Sequence, residues 1–245
     1  MRSRSAALHA RRAVAVAAGC VLFAVLAAGQ PGVSPAAAQP AVVGLDVSSH
    51  QTSVHWSAVV AAGAQFAYIK ATEGLGFVNP DFASQYDGAY QAGLIRGAYH
   101  FALPNDSTGA AQASYFVANG GGWSADGKTL PGTLDIEYNP DGAKCYGLSQ
   151  NAMVAWIASF INTYHALTSR WAVIYTTSSW WATCTGNYAG FASEDPLWIA
   201  GAAGTLPAGW SFYTFLQYAA AGMFPGDQDT FNGSSDRLTH LAIGH

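Results

Sequence analysis

Charged side chains are scarce in this chain. Only 10% of its 245 residues are Asp, Glu, Lys or Arg, against about a quarter in an ordinary globular domain. Beyond residue 38 the basic residues number six (Lys70, Arg96, Lys128, Lys144, Arg170, Arg237) against fourteen acids, a formal charge of −8. No basic patch exists, which excludes nucleic acid as a partner. Cysteine is scarce too, at three in all. No second cysteine pair and no histidine cluster at ligand spacing accompanies them, so no metal site is expected, and no cofactor is called for. Internal repeats and linkers are also missing, so residues 39–245 are expected to form one domain.

The single long apolar run, Ala13 to Gly29, stands at the front. Arg2, Arg4, Arg11 and Arg12 precede it, and the small residues Ala36-Ala37-Ala38 follow a Pro/Ala-rich stretch. That is the layout of a secretory signal peptide, with cleavage expected between Ala38 and Gln39. The run falls slightly short of the ~20 residues of a spanning helix, which argues against a retained anchor. The mature chain is therefore expected outside the cell, as a monomer with no membrane partner. Cys20 leaves with the signal, and Cys145 and Cys184 are expected to form one disulfide in the oxidising exterior.

What is present is strand, helix and aromatic rings. Short runs rich in Val, Ile, Tyr, Phe and Trp lie at Val42–Val47, Phe66–Ala71, Ile95–Phe101, Thr133–Glu137, Trp171–Thr176, Leu197–Ala200 and Phe212–Tyr218. Gly, Pro or Asn bounds them, and several are apolar on both faces, as in a covered parallel sheet. Helices are expected at Val54–Ala62, Pro80–Gln91, Thr108–Ala118 and Gln150–Leu167. The last has Ser149 as N-cap and a stripe of Met153, Ile157, Phe160, Ile161 and Tyr164. After Thr176 the helical signal fades. Alternating units imply an α/β fold with right-handed crossovers, either an open doubly wound sheet or a (β/α) barrel. Polar residues at successive strand ends favour the TIM-barrel-like form, because barrels carry their chemistry there: Asp46, Lys70 to Glu73, His100 and Glu137.

Chemistry centres on Leu134-Asp135-Ile136-Glu137. Alternate residues of a strand share a face, so Asp135 and Glu137 point the same way, their Cα atoms ~6.6 Å apart. Two acids on one wall repel, and one holds its proton to higher pH. A protonated acid beside a carboxylate suits cleavage of a glycosidic bond. Further acids stand in Gly44-Leu45-Asp46-Val47-Ser48, in Lys70-Ala71-Thr72-Glu73-Gly74 and in Gly226-Asp227-Gln228-Asp229. Each has a plain alternative: a turn acid, a salt-bridged turn and a solvated acidic loop.

Taken in order, these segments resemble glycoside hydrolase family 25, the lysozymes that act as N-acetylmuramidases. The resemblance runs from Gly44 to Gly233 and includes Phe66 to Gly74, Gly97-Ala98-Tyr99-His100-Phe101, Leu134 to Glu137, Leu197-Trp198-Ile199-Ala200 and Leu216-Gln217-Tyr218. It implies an irregular, flattened (β/α) barrel acting on the glycan strands of peptidoglycan, at the β-1,4 bond between N-acetylmuramic acid and N-acetylglucosamine. It also implies an acidic cluster of Asp46, Asp135, Glu137 and Asp227, with Asp229 as the alternative for the fourth acid. Glu137 matches the general acid/base and Asp135 its partner carboxylate. Glu73, Tyr99, Tyr175, Trp198 and Gln217 match substrate-contacting positions. The chain departs from the family at Phe215-Leu216, where a Trp often stands before Gln-Tyr. Two rival readings are a chitinase, whose strand-four pattern is broken here by Thr133, and a non-catalytic wall-binding barrel.

Overall fold

The computed structural model describes residues 41–201 and 204–244. The expected signal peptide lies outside the described residues. The elements run β1 (Val42–Val47), α1 (Trp56–Ala61), β2 (Phe66–Glu73), β3 (Phe77–Val78), α2 (Phe82–Gln91), β4 (Ile95–Phe101) and α3 (Gly109–Phe116). They continue with β5 (Thr133–Asp135), α4 (Gln150–Thr168), β6 (Val173–Thr176), α5 (Ser178–Thr185), β7 (Leu197–Ala200), β8 (Phe215–Ala219), β9 (Asp227–Phe231) and α6 (Ser235–Ile243).

Eight strands close into a barrel in the order β1-β2-β4-β5-β6-β7-β8-β9, with β9 pairing back onto β1 and β3 hairpinned onto β2. Seven strands are parallel, and β9 runs antiparallel to both its neighbours. The barrel reading therefore holds, and the open sheet does not. Four corrections follow. β9 is a strand where the sequence suggested an acidic loop. Helices α5 and α6 occupy the region where the helical signal fades, each opened by a capping hydroxyl, Thr177 and Ser234. β8 starts at Phe215 rather than Phe212, and β5 ends at Asp135 rather than Glu137.

Alternation sorts each strand into an outward and an inward set. Outward residues pack under the helices. Leu134, Ile136 and Ile174 meet the α4 stripe of Met153, Ile157, Phe160, Ile161 and Tyr164, all buried. Ser149 caps α4 by accepting from the Ala152 N–H. His100 belongs to this outer layer: its side chain is fully buried and stacked on Phe160 at 5.4 Å. Thr72 Oγ1 and Gln112 Oε1 hold its two ring nitrogens, and burial lowers its pKa to about 4. Thus His100, at a strand end as expected, is a neutral packing residue and not part of the barrel mouth.

Inward residues form layers. Val42, Phe66, Val173, Phe215 and Phe231 fill the lower barrel. Tyr68 and Trp198 pack against each other across the middle, rings tilted and centroids 4.8 Å apart. Gly97 gives Tyr68 its room, since a Cβ there would stand 2.2 Å from the ring. The top layer is polar. The expected disulfide is present: Cys145 joins Cys184, tying the loop after β5 to α5 with a Cα–Cα distance of 5.4 Å.

Candidate active site

The top layer opens into a cleft of about 220 Å³ at the C-terminal ends of the parallel strands. It is lined by Asp46 from β1, Lys70 from β2, Tyr99 and Phe101 from β4, Asp135 and Glu137 from β5 and the turn after it, Tyr175, Trp198, Gln217, and Asp227. Eight of the nine catalytic and substrate-contact positions named from the sequence therefore share one cleft. Glu73 does not line it. It is partly exposed and paired with Lys70, so the ion pair weighed for that segment is present, although Lys70 to Glu73 lie within β2 rather than in a turn.

Asp227 reaches the cleft because β9 is reversed. Its first residue, not its last, lies at the mouth, directly opposite Asp46 across the β1–β9 ladder. Gly226 makes the approach possible: its φ is +74°, and a Cβ there would stand 2.2 Å from the Asp46 carbonyl oxygen. Gln217 then links the two acids. Its Nε2 donates to Asp46 Oδ2 at 2.8 Å and to Asp227 Oδ2 at 3.0 Å, while Tyr175 Oη donates to its Oε1 at 2.8 Å. The tyrosine orients the amide so that its two protons face the carboxylates.

Crowding raises the acids. Burial, then the charge of Asp227, lifts Asp46 from 3.8 to about 7. Burial, then the Glu137 charge, pushes Asp135 well above the usual carboxylate range. Glu137 is raised by burial and by Asp227, and Asp227 by burial. Lys70 opposes this, pulling Asp135 and Glu137 down. Its ammonium sits 4.8 Å from the centroid of the Phe101 ring. The sequence reading left Lys70 out of the site. The clue was its place among the inward positions of β2, two residues beyond Tyr68. Carboxylic acids that keep protons above their normal range, beside others of different exposure, are the equipment for acid-assisted bond cleavage.

The family model for glycosyl hydrolases family 25 matches residues 45–227, from the first strand to the Asp227 at the mouth. The chain belongs to this family. Lysozyme M1 of Streptomyces globisporus is 54% identical over 209 residues, covering 82% of this chain and 71% of that protein. An N,O-diacetylmuramidase of Chalaropsis sp is 50% identical over 210 residues, covering 83% of this chain and all of the relative. The solved muramidase from Acremonium alcalophilum is 57% identical with a TM-score of 0.82, covering 83% of this chain and 100% of that one. This family 25 protein is thus a glycoside hydrolase of the lysozyme type, which removes the non-catalytic barrel as a reading. The chitinase reading falls with it.

Proposed function

We propose that this lysozyme cuts the β-1,4 bond between N-acetylmuramic acid and N-acetylglucosamine in peptidoglycan, with Glu137 as general acid/base and Asp135 as the carboxylate that meets the developing positive charge. The observation that carries the reading is the pair itself. Both acids leave one strand end into one cleft, both are raised, and Asp135 is the more deeply buried. Glu137, on the more open side, is placed to protonate the leaving oxygen. Asp135, sealed and beside it, either attacks the anomeric carbon or steadies an intermediate formed by the substrate's own N-acetyl oxygen. Asp46 and Asp227, bridged by Gln217, form the opposite wall. Tyr99, Tyr175 and Trp198 supply aromatic contact to the sugar. No metal is required.

Digestion of purified peptidoglycan, followed by reduction and mass spectrometry, tests this. Products ending in reduced N-acetylmuramic acid are expected, and Glu137→Gln should lower kcat at least about a hundredfold. Ends in reduced N-acetylglucosamine would replace the muramidase reading with a glucosaminidase. The name of the Chalaropsis relative extends the proposal to O-acetylated muramic acid, and O-acetylated wall is expected to be cut as well. We also propose export through removal of residues 1–38. The N-terminus of the protein recovered from culture medium should read Gln39-Pro40-Ala41.

A further inference from the structure

One acid of the barrel interior has no part in the reaction set out above. Asp229 stands on β9 two residues after Asp227, on the same inward face, paired with Gly44 and diagonal to Asp46. It is completely buried. Trp198 Nε1 donates to its Oδ1 at 3.0 Å. Its Oδ2 is sealed from solvent, and no donor reaches it. Asp46 stands two positions along the β1–β9 ladder on the same inward face, and the two carboxyls act directly on one another. Two carboxylates only accept, so they cannot bond to one another without a proton between them. An ionised oxygen left bare in that position would be strongly unfavourable.

We propose that Asp229 is a positioning residue for the hydrolysis: it shares one proton with Asp46 and, with Gln217 on the other flank, fixes the Asp46 carboxyl in the pose it presents to the reacting sugar. The proposal rests on the reading of Asp46 as part of the reacting cluster. Its physical sense lies in the charge around it. Asp46 on β1, Asp135 and Glu137 at the end of β5, and Asp227 on β9 all crowd this end of the barrel. Tyr68 and Lys70 from β2, Tyr99 from β4, Tyr175 from β6, Trp198 from β7 and Gln217 from β8 complete the surroundings. Of the residues lining the cleft, Lys70 and His50 alone can carry a positive charge. A shared proton leaves the pair with one negative charge instead of two. It also turns Asp46 from a repelled carboxylate into one member of a hydrogen-bonded chain from Tyr175 through Gln217 to Trp198. Burial and the Asp46 charge hold the Asp229 proton well above the usual carboxylate range, and Asp46 itself lies near 7.

The test uses Asp229→Asn and Asp229→Ala in the mature enzyme, with melting temperature and steady-state kinetics from about pH 4 to about pH 8. Asparagine donates to Asp46 without borrowing a proton. In the wild type the folded state keeps a proton that the unfolded chain releases near 3.8, so stability falls as pH rises from there through about 7. Asp229→Asn should flatten that fall and keep kcat within about threefold. Asp229→Ala removes the hold on Asp46, and kcat should drop about tenfold or more, with KM nearly unchanged. A folded Asp229→Ala enzyme with wild-type kcat would overturn the positioning role. An unchanged pH slope in Asp229→Asn would overturn the shared proton, and that readout decides the matter even if the alanine variant fails to fold. Asp46→Asn, run in parallel, separates this proposal from the reading beneath it. If that variant keeps full activity, the assignment of Asp46 fails and the positioning role falls with it, while the shared proton still stands or falls on the slope.

Discussion

Lys70 shows how a single side chain sets the working range of a cluster. It faces acids that burial and mutual repulsion drive toward protonation, and its charge pulls Asp135 and Glu137 back. Replacing it with methionine keeps the bulk against Phe101 and removes the charge. Both acids then rise, so both limbs of the pH–rate profile should move to higher pH, by roughly one unit. A Lys70→Met profile that superimposes on the wild type would show that the lysine has no hold on the reacting pair. Glu73, partly exposed, loses only its ion-pair partner, and surface pairs of this kind are worth at most about 1 kcal/mol. At this scale the sequence was informative about acids and poor about what sits beside them. Asp135 and Glu137 declare themselves because two inward acids on one strand are rare and costly. Lys70-Ala71-Thr72-Glu73 is equally good as an exposed turn, and only closure of the barrel shows that Lys70 lines the cleft while Glu73, its ion-pair partner, stays at the rim.

The elements divide in the same manner. Helix α4 was legible because its stripe repeats over about three turns and Ser149 marks its start. Helix α5 was not: Ser178-Ser179-Trp180-Trp181 has poor helix formers, and both tryptophans are buried, Trp181 by tertiary packing against Phe191 and Trp210. Strand β9 inverts the usual pattern, turning Asp227 and Asp229 toward the interior, so an alternation sought in apolar residues passes over it. Two predictions belong here. Gly226→Ala should displace the start of β9, because the added methyl meets the Asp46 carbonyl and the backbone holds a positive φ. A loss of about 2 kcal/mol or more is expected, with activity falling further than stability as Asp227 leaves Gln217. Urea denaturation alongside turnover measures both. Reduction of the Cys145–Cys184 bond, which spans 39 residues, should cost about 4 kcal/mol in the chain-entropy account. Calorimetry with and without reductant checks it, and an unchanged Tm would place the stability of α5 in its tryptophan packing alone.

For the molecule as a whole the acids act on stability as well as chemistry. Asp46, Asp135, Glu137, Asp227 and Asp229 are all raised, and at the far end of the barrel burial lifts Asp195 to about 8. A folded state that binds protons more tightly than the unfolded chain is favoured at low pH. The contribution is complete below about 4, the ordinary carboxylate range, and is lost as pH climbs through the raised values. The melting temperature should therefore peak on the acid side and decline by several degrees toward pH 8. A maximum at neutral or alkaline pH would contradict this picture of the interior.

The reversed strand β9 also has a bearing on timing. It brings Asp227 to Asp46 across a seam whose partners are 181 positions apart (227 − 46) in the chain, the kind of distant pairing that forms slowly during folding. Until that seam shuts, the cleft lacks one wall and Gln217 has no pair of carboxylates to bridge. On the roles proposed for these acids, catalytic competence should arrive all at once and late, and a polypeptide halted or clipped ahead of residue 227 should release no fragments from peptidoglycan, however well its earlier strands have packed.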